Sequence, residues 1–139
     1  MDLEKTLAAA PLLHDLDPKI IKRLAEQGVR RTYPAGEWII RQDTPASALY
    51  VILRGRARAQ KDGEEDRTPT EMYAGEFFGE LALIEDHMRT ASVMAVEETE
   101  CILFVAWEFT ALLKEYPVMA VPIMNALIKR LHRREHKPD

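Results

Sequence analysis

The 139 residues contain a single cysteine, Cys101, so no intramolecular disulfide can form and a reducing compartment is expected. It sits in the apolar run 101–106 and reads as a buried core thiol. No apolar stretch approaches the ~18 residues of a membrane span. The N-terminus, MDLEKTLAAAPLLHDLD, is acidic from position 2 and lacks a basic-then-apolar leader pattern. A cytoplasmic protein without membrane contact is the expectation. A basic excess is lacking as well: 19 Lys and Arg stand against 23 Asp and Glu for a formal net charge of −4, whereas a protein that binds a nucleic-acid backbone normally needs a basic surface. Nucleic acid is therefore not an expected partner, and the basic C-terminal run KRLHRREHKPD is the local exception. Catalytic signals are missing. Ser47 and Ser92 have no histidine near them in sequence and no nucleophile–base pair stands out, so no catalytic residue is expected. His14, His87, His132 and His136 fall outside the expected strands. Only His132 and His136 share a helix face, and without an acid or thiol ligand beside them no metal site is expected. Internal repeats and low-complexity segments are absent.

What is present reads as one domain. Leu3, Leu7 and Ala10 recur at helical spacing until Pro11 ends the run. A second helix has Asp17 as N-cap, Pro18 at its first position, an apolar face of Ile20, Ile21 and Leu24, and Gly28 as its stop. From Val29 the pattern turns to short strands: 29–33, 38–41, 49–53, 56–60 and 70–73, then 91–97 and 100–105. Between them lie turn signals at Pro34-Ala35-Gly36, Asp43-Thr44-Pro45, Arg54-Gly55 and Asp62-Gly63. Phe109, Leu112 and Leu113 mark a further helix up to Tyr116-Pro117, and Val121, Met124, Leu127, Ile128 and Leu131 mark a longer one. The expected fold is mainly β with flanking helices: an antiparallel β-barrel or jelly roll of about eight strands, between an N-terminal helix pair and two C-terminal helices. The expected divisions are 1–28, 29–106 and 107–135. The apolar face of 121–131 needs a cover, either the barrel or a second copy of the chain. Trp38 and Trp107 read as core or helix-junction residues rather than as base-stacking platforms.

One segment carries chemistry, GEFFGELALIEDHMRTASV at 75–93. A short helix beginning near Gly79 would point free backbone N–H groups at an anion over its first turn. Arg89, returning after a loop, would add a fork of donors that fits phosphate oxygens. Glu80 would repel that phosphate unless the ligand also offers a hydroxyl, as a ribose does. Phosphate and sugar hydroxyl recognised within one short segment suggest a nucleotide.

FGELAL at 78–83 followed by Arg-Thr-Ala at 89–91 resembles the phosphate-binding cassette of cyclic nucleotide-binding domains, the module of cyclic-nucleotide-dependent kinases, gated channels and catabolite-activator-type regulators. YPAGEWII, LYVILRGRARA and the terminal helices are similar to the corresponding family segments, so the likeness covers nearly the whole chain. It implies that Glu80 accepts a hydrogen bond from the ribose 2′-hydroxyl and that Arg89 pairs with the exocyclic phosphate oxygens. The amides of Ala82 and Thr90 would complete the cradle, with Leu81 in the same turn and Gly79 allowing close approach. In the family a threonine at the position of Thr90 is associated with guanine recognition and also occurs in domains that accept both nucleotides. Cyclic AMP is expected, with cyclic GMP open, and no further cofactor. Asp43 and Ala46 stand where the family commonly has glycine, and Met88 where proline is frequent. The left-handed tolerance of aspartate should preserve the first turn.

The resemblance implies a non-catalytic cyclic nucleotide sensor that signals through its C-terminal helices to an effector, with a homodimer through those helices as one assembly. The alternative is a degenerate domain that serves as a protein–protein scaffold. A helix-turn-helix regulator would require a further domain beyond Asp139.

Overall fold

The computed structural model describes residues 3–10, 12–63, 69–83 and 88–135. Two N-terminal helices, α1 (Leu3–Ala9) and α2 (Pro18–Gln27), precede eight strands: β1 (Val29–Tyr33), β2 (Trp38–Ile40), β3 (Ala48–Arg54), β4 (Arg56–Gln60), β5 (Thr70–Tyr73), β6 (Phe77–Phe78), β7 (Ser92–Ala95) and β8 (Thr99–Val105). Two helices follow, α3 (Ala106–Glu115) and α4 (Ala120–Glu135). The strands form two antiparallel four-stranded sheets, ordered β1-β8-β3-β6 and β2-β7-β4-β5, a jelly roll rather than a closed barrel.

Local chemistry explains the helix starts. The Asp17 carboxylate accepts from the Lys19 amide at 2.8 Å, one of the donors a helix N-terminus leaves open, and Pro18 fills the first position. At the other end α2 stops at Gly28 as expected, the Gly28 amide donating to the Leu24 carbonyl at 2.9 Å. Its backbone is extended, with φ −70° and ψ 145°, and a Cβ there would meet Ile102 Cδ1 at 2.1 Å. Glycine is needed because α2 enters β1 hard against β8.

Both expected helices after the strands form, α3 with the expected face turned inward and α4 with a different one. Phe109 and Leu112 of α3 are buried, whereas Trp107, two residues or about 200° earlier on the helix, is 72% exposed. Trp38 is also partly exposed, with the Arg41 guanidinium 4.4 Å from its ring centroid, so neither tryptophan is a core residue. On α4 the inward positions are Ile123, Ala126 and Leu127. The stripe of Val121, Met124, Ile128 and Leu131 stands more than half exposed, so the chain's own sheets do not cover it.

The core has two centres. One packs α1, α2, α3 and the start of α4 on the sheet of β1, β3, β6 and β8, through Leu24, Phe77, Ile102, Phe104, Phe109 and Leu112 among others. The second lies around Ile40, Ile52, Ala57, Met72, Phe78, Val93 and Cys101. Cys101 is fully buried, and burial, helped by the nearby Glu100 carboxylate, pushes its thiol up to about 12. Thr99, also fully buried, ties the β3–β4 hairpin to the start of β8. Its hydroxyl accepts from the Arg56 amide at 3.2 Å and lies 3.0 Å from the Arg56 carbonyl and 2.8 Å from that of Glu97.

Gly28→Ala is expected to lower stability by about 1–3 kcal/mol, the usual cost of overpacking a filled site. Urea unfolding monitored by tryptophan fluorescence measures it, and an unchanged midpoint would contradict the packing explanation.

Candidate functional site

The site is built where β6 ends. Tyr50 and Phe78 are register partners on β3 and β6, and their rings stack with centroids 5.0 Å apart and an interplanar angle of 2°. This strand pair, too short to be evident from the sequence, delivers the chain to Gly79 at φ +79°. A Cβ at Gly79 would meet Arg89 Nη1 at 2.9 Å and the Ala48 carbonyl at 3.1 Å. The expected helix after Gly79 is a 3-10 turn of four residues, Glu80–Leu83, too short for a substantial helix dipole. Residues 84–87 of the cassette, with His87, lie outside the described residues.

Arg89 is only 6% exposed. Its Nη1 donates to the Gly79 carbonyl at 2.9 Å and its Nη2 to the Ala48 carbonyl at 2.7 Å. Among the described residues no carboxylate forms an ion pair with it. Burial therefore lowers its pKa from the ordinary arginine value, and Tyr50 and Glu80 oppose that shift only partly. A buried cation held by two neutral carbonyls is costly to keep in place, and a bound anion would offset that cost.

The β2–β3 turn holds Arg89 in position. The Asp43 amide donates to the Arg89 carbonyl at 2.9 Å, and the Arg89 amide donates to the Thr44 carbonyl at 2.8 Å. Asp43 is the one non-glycine residue with positive φ among the described residues, at 66°, so the left-handed turn is kept without glycine. Beside it, Pro45 and Met88 form an isolated antiparallel bridge.

Gly79, Glu80, Leu81, Arg89 and Thr90 all line one cavity of about 240 Å³, whose remaining wall includes Ile40, Ala59, Met72, Phe78 and Val93. Of the expected site residues only Ala82 is not part of that lining. It is buried, and its amide already donates to the Gly79 carbonyl at 3.1 Å, so a role in a phosphate cradle would require that bond to open. Thr90 is exposed at the cavity mouth.

One residue of the site was not found from the sequence. Arg130 of α4 reaches Glu80, Nη1 to Oε1 at 3.2 Å, donates to the Phe77 carbonyl through Nη2, and lies 4.8 Å from the centroid of the Phe77 ring. Together with Ile123, Ala126 and Leu127 it follows i, i+3, i+4, i+7 spacing. That inward face would have flagged a charged residue needing a buried partner, but the more apolar stripe of Val121 to Leu131 obscured it. No group of three or more His, Cys, Asp or Glu that could hold a metal ion occurs among the described residues. No single helix among them is long and apolar enough to cross a membrane.

The two sheets and the enclosed arginine define a jelly-roll domain with a buried cation on the wall of its pocket. Residues 30–116 match the model of the cyclic nucleotide-binding domain, and the chain belongs to that family. It is 31% identical over 135 residues to the cyclic AMP receptor protein of Thermus thermophilus, covering 96% of this chain and 62% of the relative. To the cAMP-dependent protein kinase regulatory subunit of Emericella nidulans it is 39% identical over 98 residues, covering 70% of this chain and 23% of the relative. The solved structure of Sp-2Cl-cAMPS bound to PKAR CBD2 superposes with a TM-score of 0.78 at 25% identity, over 98% of this chain and 90% of that one. The chain thus spans less than two thirds of the length of these two curated relatives.

Gly79→Ala is expected to destabilise the fold by at least the ~1–2 kcal/mol of a left-handed non-glycine residue, and to push Arg89 from its two carbonyls. Thermal unfolding and the Arg89 amide resonance report both. A variant with wild-type melting and an unmoved resonance would contradict the close-approach role.

Proposed function

We propose that the chain is a single cyclic nucleotide-binding domain without catalysis of its own, divided at 1–28, 29–106 and 107–135, that senses cyclic AMP, with cyclic GMP as the second ligand to test. The observation that carries this reading is Arg89: a buried guanidinium with no ion-paired carboxylate among the described residues, facing a cavity that also presents Glu80 and Thr90. Arg89 would receive the cyclic phosphate, Glu80 the ribose hydroxyl, and the turn of Gly79, Leu81 and Ala82 would shift to bring its amides inward. Thr90 at the mouth would meet the base. The relatives named above, which include a cyclic AMP receptor protein and a cAMP-dependent kinase regulatory subunit, support cyclic AMP as the first ligand to test.

Occupancy would be passed on by α4, because Glu80 of the pocket is ion-paired to that helix. The exposed Val121, Met124, Ile128 and Leu131 follow 3-4-3 spacing, the seam of a two-helix coiled coil. A second copy of the chain is the cover that this spacing fits, and the signal would go to an effector through the paired helices. The same exposed stripe is what favours the second reading, a scaffold that docks partners without regard to nucleotide.

Isothermal titration distinguishes the two. Cyclic AMP is expected to bind with Kd below about 100 μM and Arg89→Ala to weaken it at least ~10-fold, since each charge-assisted hydrogen bond contributes roughly 1.5–3 kcal/mol. No heat with either nucleotide, unchanged in Arg89→Ala, would leave the scaffold reading. Light scattering is expected to give a dimer that Ile128→Glu converts to monomer, and a monomeric wild-type chain would remove the coiled-coil assignment.

A further inference from the structure

The β2–β3 turn that brackets Arg89 also reaches the opposite wall of the cavity. Three consecutive residues of the turn bond to the chain that carries Arg89. The Gln42 amide donates to the Ser92 hydroxyl at 2.8 Å, the Asp43 amide donates to the Arg89 carbonyl at 2.9 Å, and the Thr44 carbonyl accepts from the Arg89 amide at 2.8 Å. Ser92 is buried, and the Thr44 hydroxyl closes the turn by donating to the Arg41 carbonyl at 2.6 Å. The side chain of Gln42 makes a separate contact. Its Oε1 accepts from the Asp62 amide at 2.7 Å, in the turn of the β4–β5 hairpin.

Strand register explains what that contact does. β4 pairs with β7 as far as Gln60 and Ser92, and past that pair the two chains leave the ladder at the same end. One continues into the hairpin turn at 61–63, and the antiparallel one is the cassette return at 89–91. Each supplies a wall of the nucleotide cavity. The hairpin contributes Ala59 and Thr70, which are register partners, together with Met72; the return contributes Arg89, Thr90 and Ala91. Ladder bonds fix the spacing of the two walls within the sheet, but not beyond its last pair. Gln42 is bonded to both sides there, through its amide to Ser92 and through its side chain to Asp62.

We propose that Gln42 is a positioning residue of the nucleotide site: its side-chain oxygen ties the β4–β5 hairpin to the turn that holds Arg89, which fixes the width of the cavity between its two walls and slows the escape of bound nucleotide. This role rests on the nucleotide-binding reading above. Gln42 is not part of the cavity lining, so it acts through Ala59, Thr70 and Arg89 rather than by touching the ligand. The contact to Asp62 is solvent-exposed. Water can replace it on both partners, so its loss costs little in folding. A wall released at its open end acts instead on ligand release, where most changes of affinity arise.

The experiment uses the full chain as wild type, Gln42→Met and Gln42→Glu. Methionine keeps the length of the side chain and removes its oxygen. Glutamate keeps an acceptor at that atom and adds a negative charge, which by itself repels a phosphate. Each protein is titrated with cyclic AMP, release of a fluorescently labelled cyclic AMP is followed by stopped flow, and Asp62 amide exchange and thermal melting are recorded without nucleotide. Gln42→Met is expected to weaken cyclic AMP roughly threefold or more, the loss of one ordinary hydrogen bond. The change is expected in the release rate, with association altered by less than about twofold. Asp62 exchange is expected to quicken, and melting to stay within about 3 °C of wild type. Gln42→Glu is expected to bind more tightly than Gln42→Met in spite of its charge. Unchanged affinity in Gln42→Met overturns the proposal, as does a Gln42→Glu variant that binds more weakly than Gln42→Met, because charge rather than the acceptor would then decide. Affinity lost together with melting beyond that margin also overturns it, by reducing the contact to a structural one. If wild type takes up no cyclic AMP, the nucleotide reading falls and this role falls with it. Uptake that is indifferent to residue 42 rejects this role alone.

Discussion

The structure depends on how a cationic side chain is kept inside a jelly roll with no ion-paired carboxylate among the described residues. Arg89 is buried and held by the carbonyls of Gly79 and Ala48, and each neighbouring element is shaped by that contact. Gly79 lacks a side chain because a Cβ would meet the guanidinium. The short β6 exists to deliver Gly79 next to β3, fixed by the Tyr50–Phe78 stack. Asp43 accepts a left-handed backbone because its amide and the Thr44 carbonyl bracket the main chain of Arg89. Hydrogen bonds to charged groups are worth more than neutral ones, yet burying a charge without a counter-ion remains costly. Among the described residues the folded chain therefore keeps a cation without an ion-paired partner on the wall of a cavity.

A second charge sits across the cavity in opposite circumstances. Glu80 is paired, with Arg130 of α4, although more than a hundred residues of chain precede that partner. The site thus has an internal half, arginine on carbonyls, and an external half, carboxylate on a helix. The first is held by the β2–β3 turn, by the start of β3 and by the residue that follows β6. The second rests on a helix that carries an exposed apolar stripe on another face, and such an element is suited to change its packing when the pocket fills.

Much of this was legible in the residues. The strands β1, β4 and β5 fall within the spans their alternation and turn signals imply, and the cassette residues Gly79, Glu80, Leu81, Arg89 and Thr90 converge on one cavity. What was not legible depended on tertiary contacts. A two-residue strand has no periodicity to detect. Gly28 ends α2 as its sequence implies, and only the position of Ile102 shows that it is also a packing glycine. The Ala82 amide looks free until the turn closes on Gly79. On α4 two faces are apolar, and the stronger stripe in sequence is the exposed one, which concealed Arg130 on the inward face.

The account stands or falls on whether an anion reaches Arg89. An NMR titration of the labelled chain with cyclic AMP tests this most directly, by following the Arg89 side-chain Nε–H and the amides of Gly79, Glu80, Leu81, Ala82 and Thr90. Saturable shifts concentrated at those resonances, with the Ala82 amide among the largest because its bond to Gly79 must open, are the predicted result. Resonances that stay in place while the nucleotide perturbs other surfaces, or nothing at all, would contradict it.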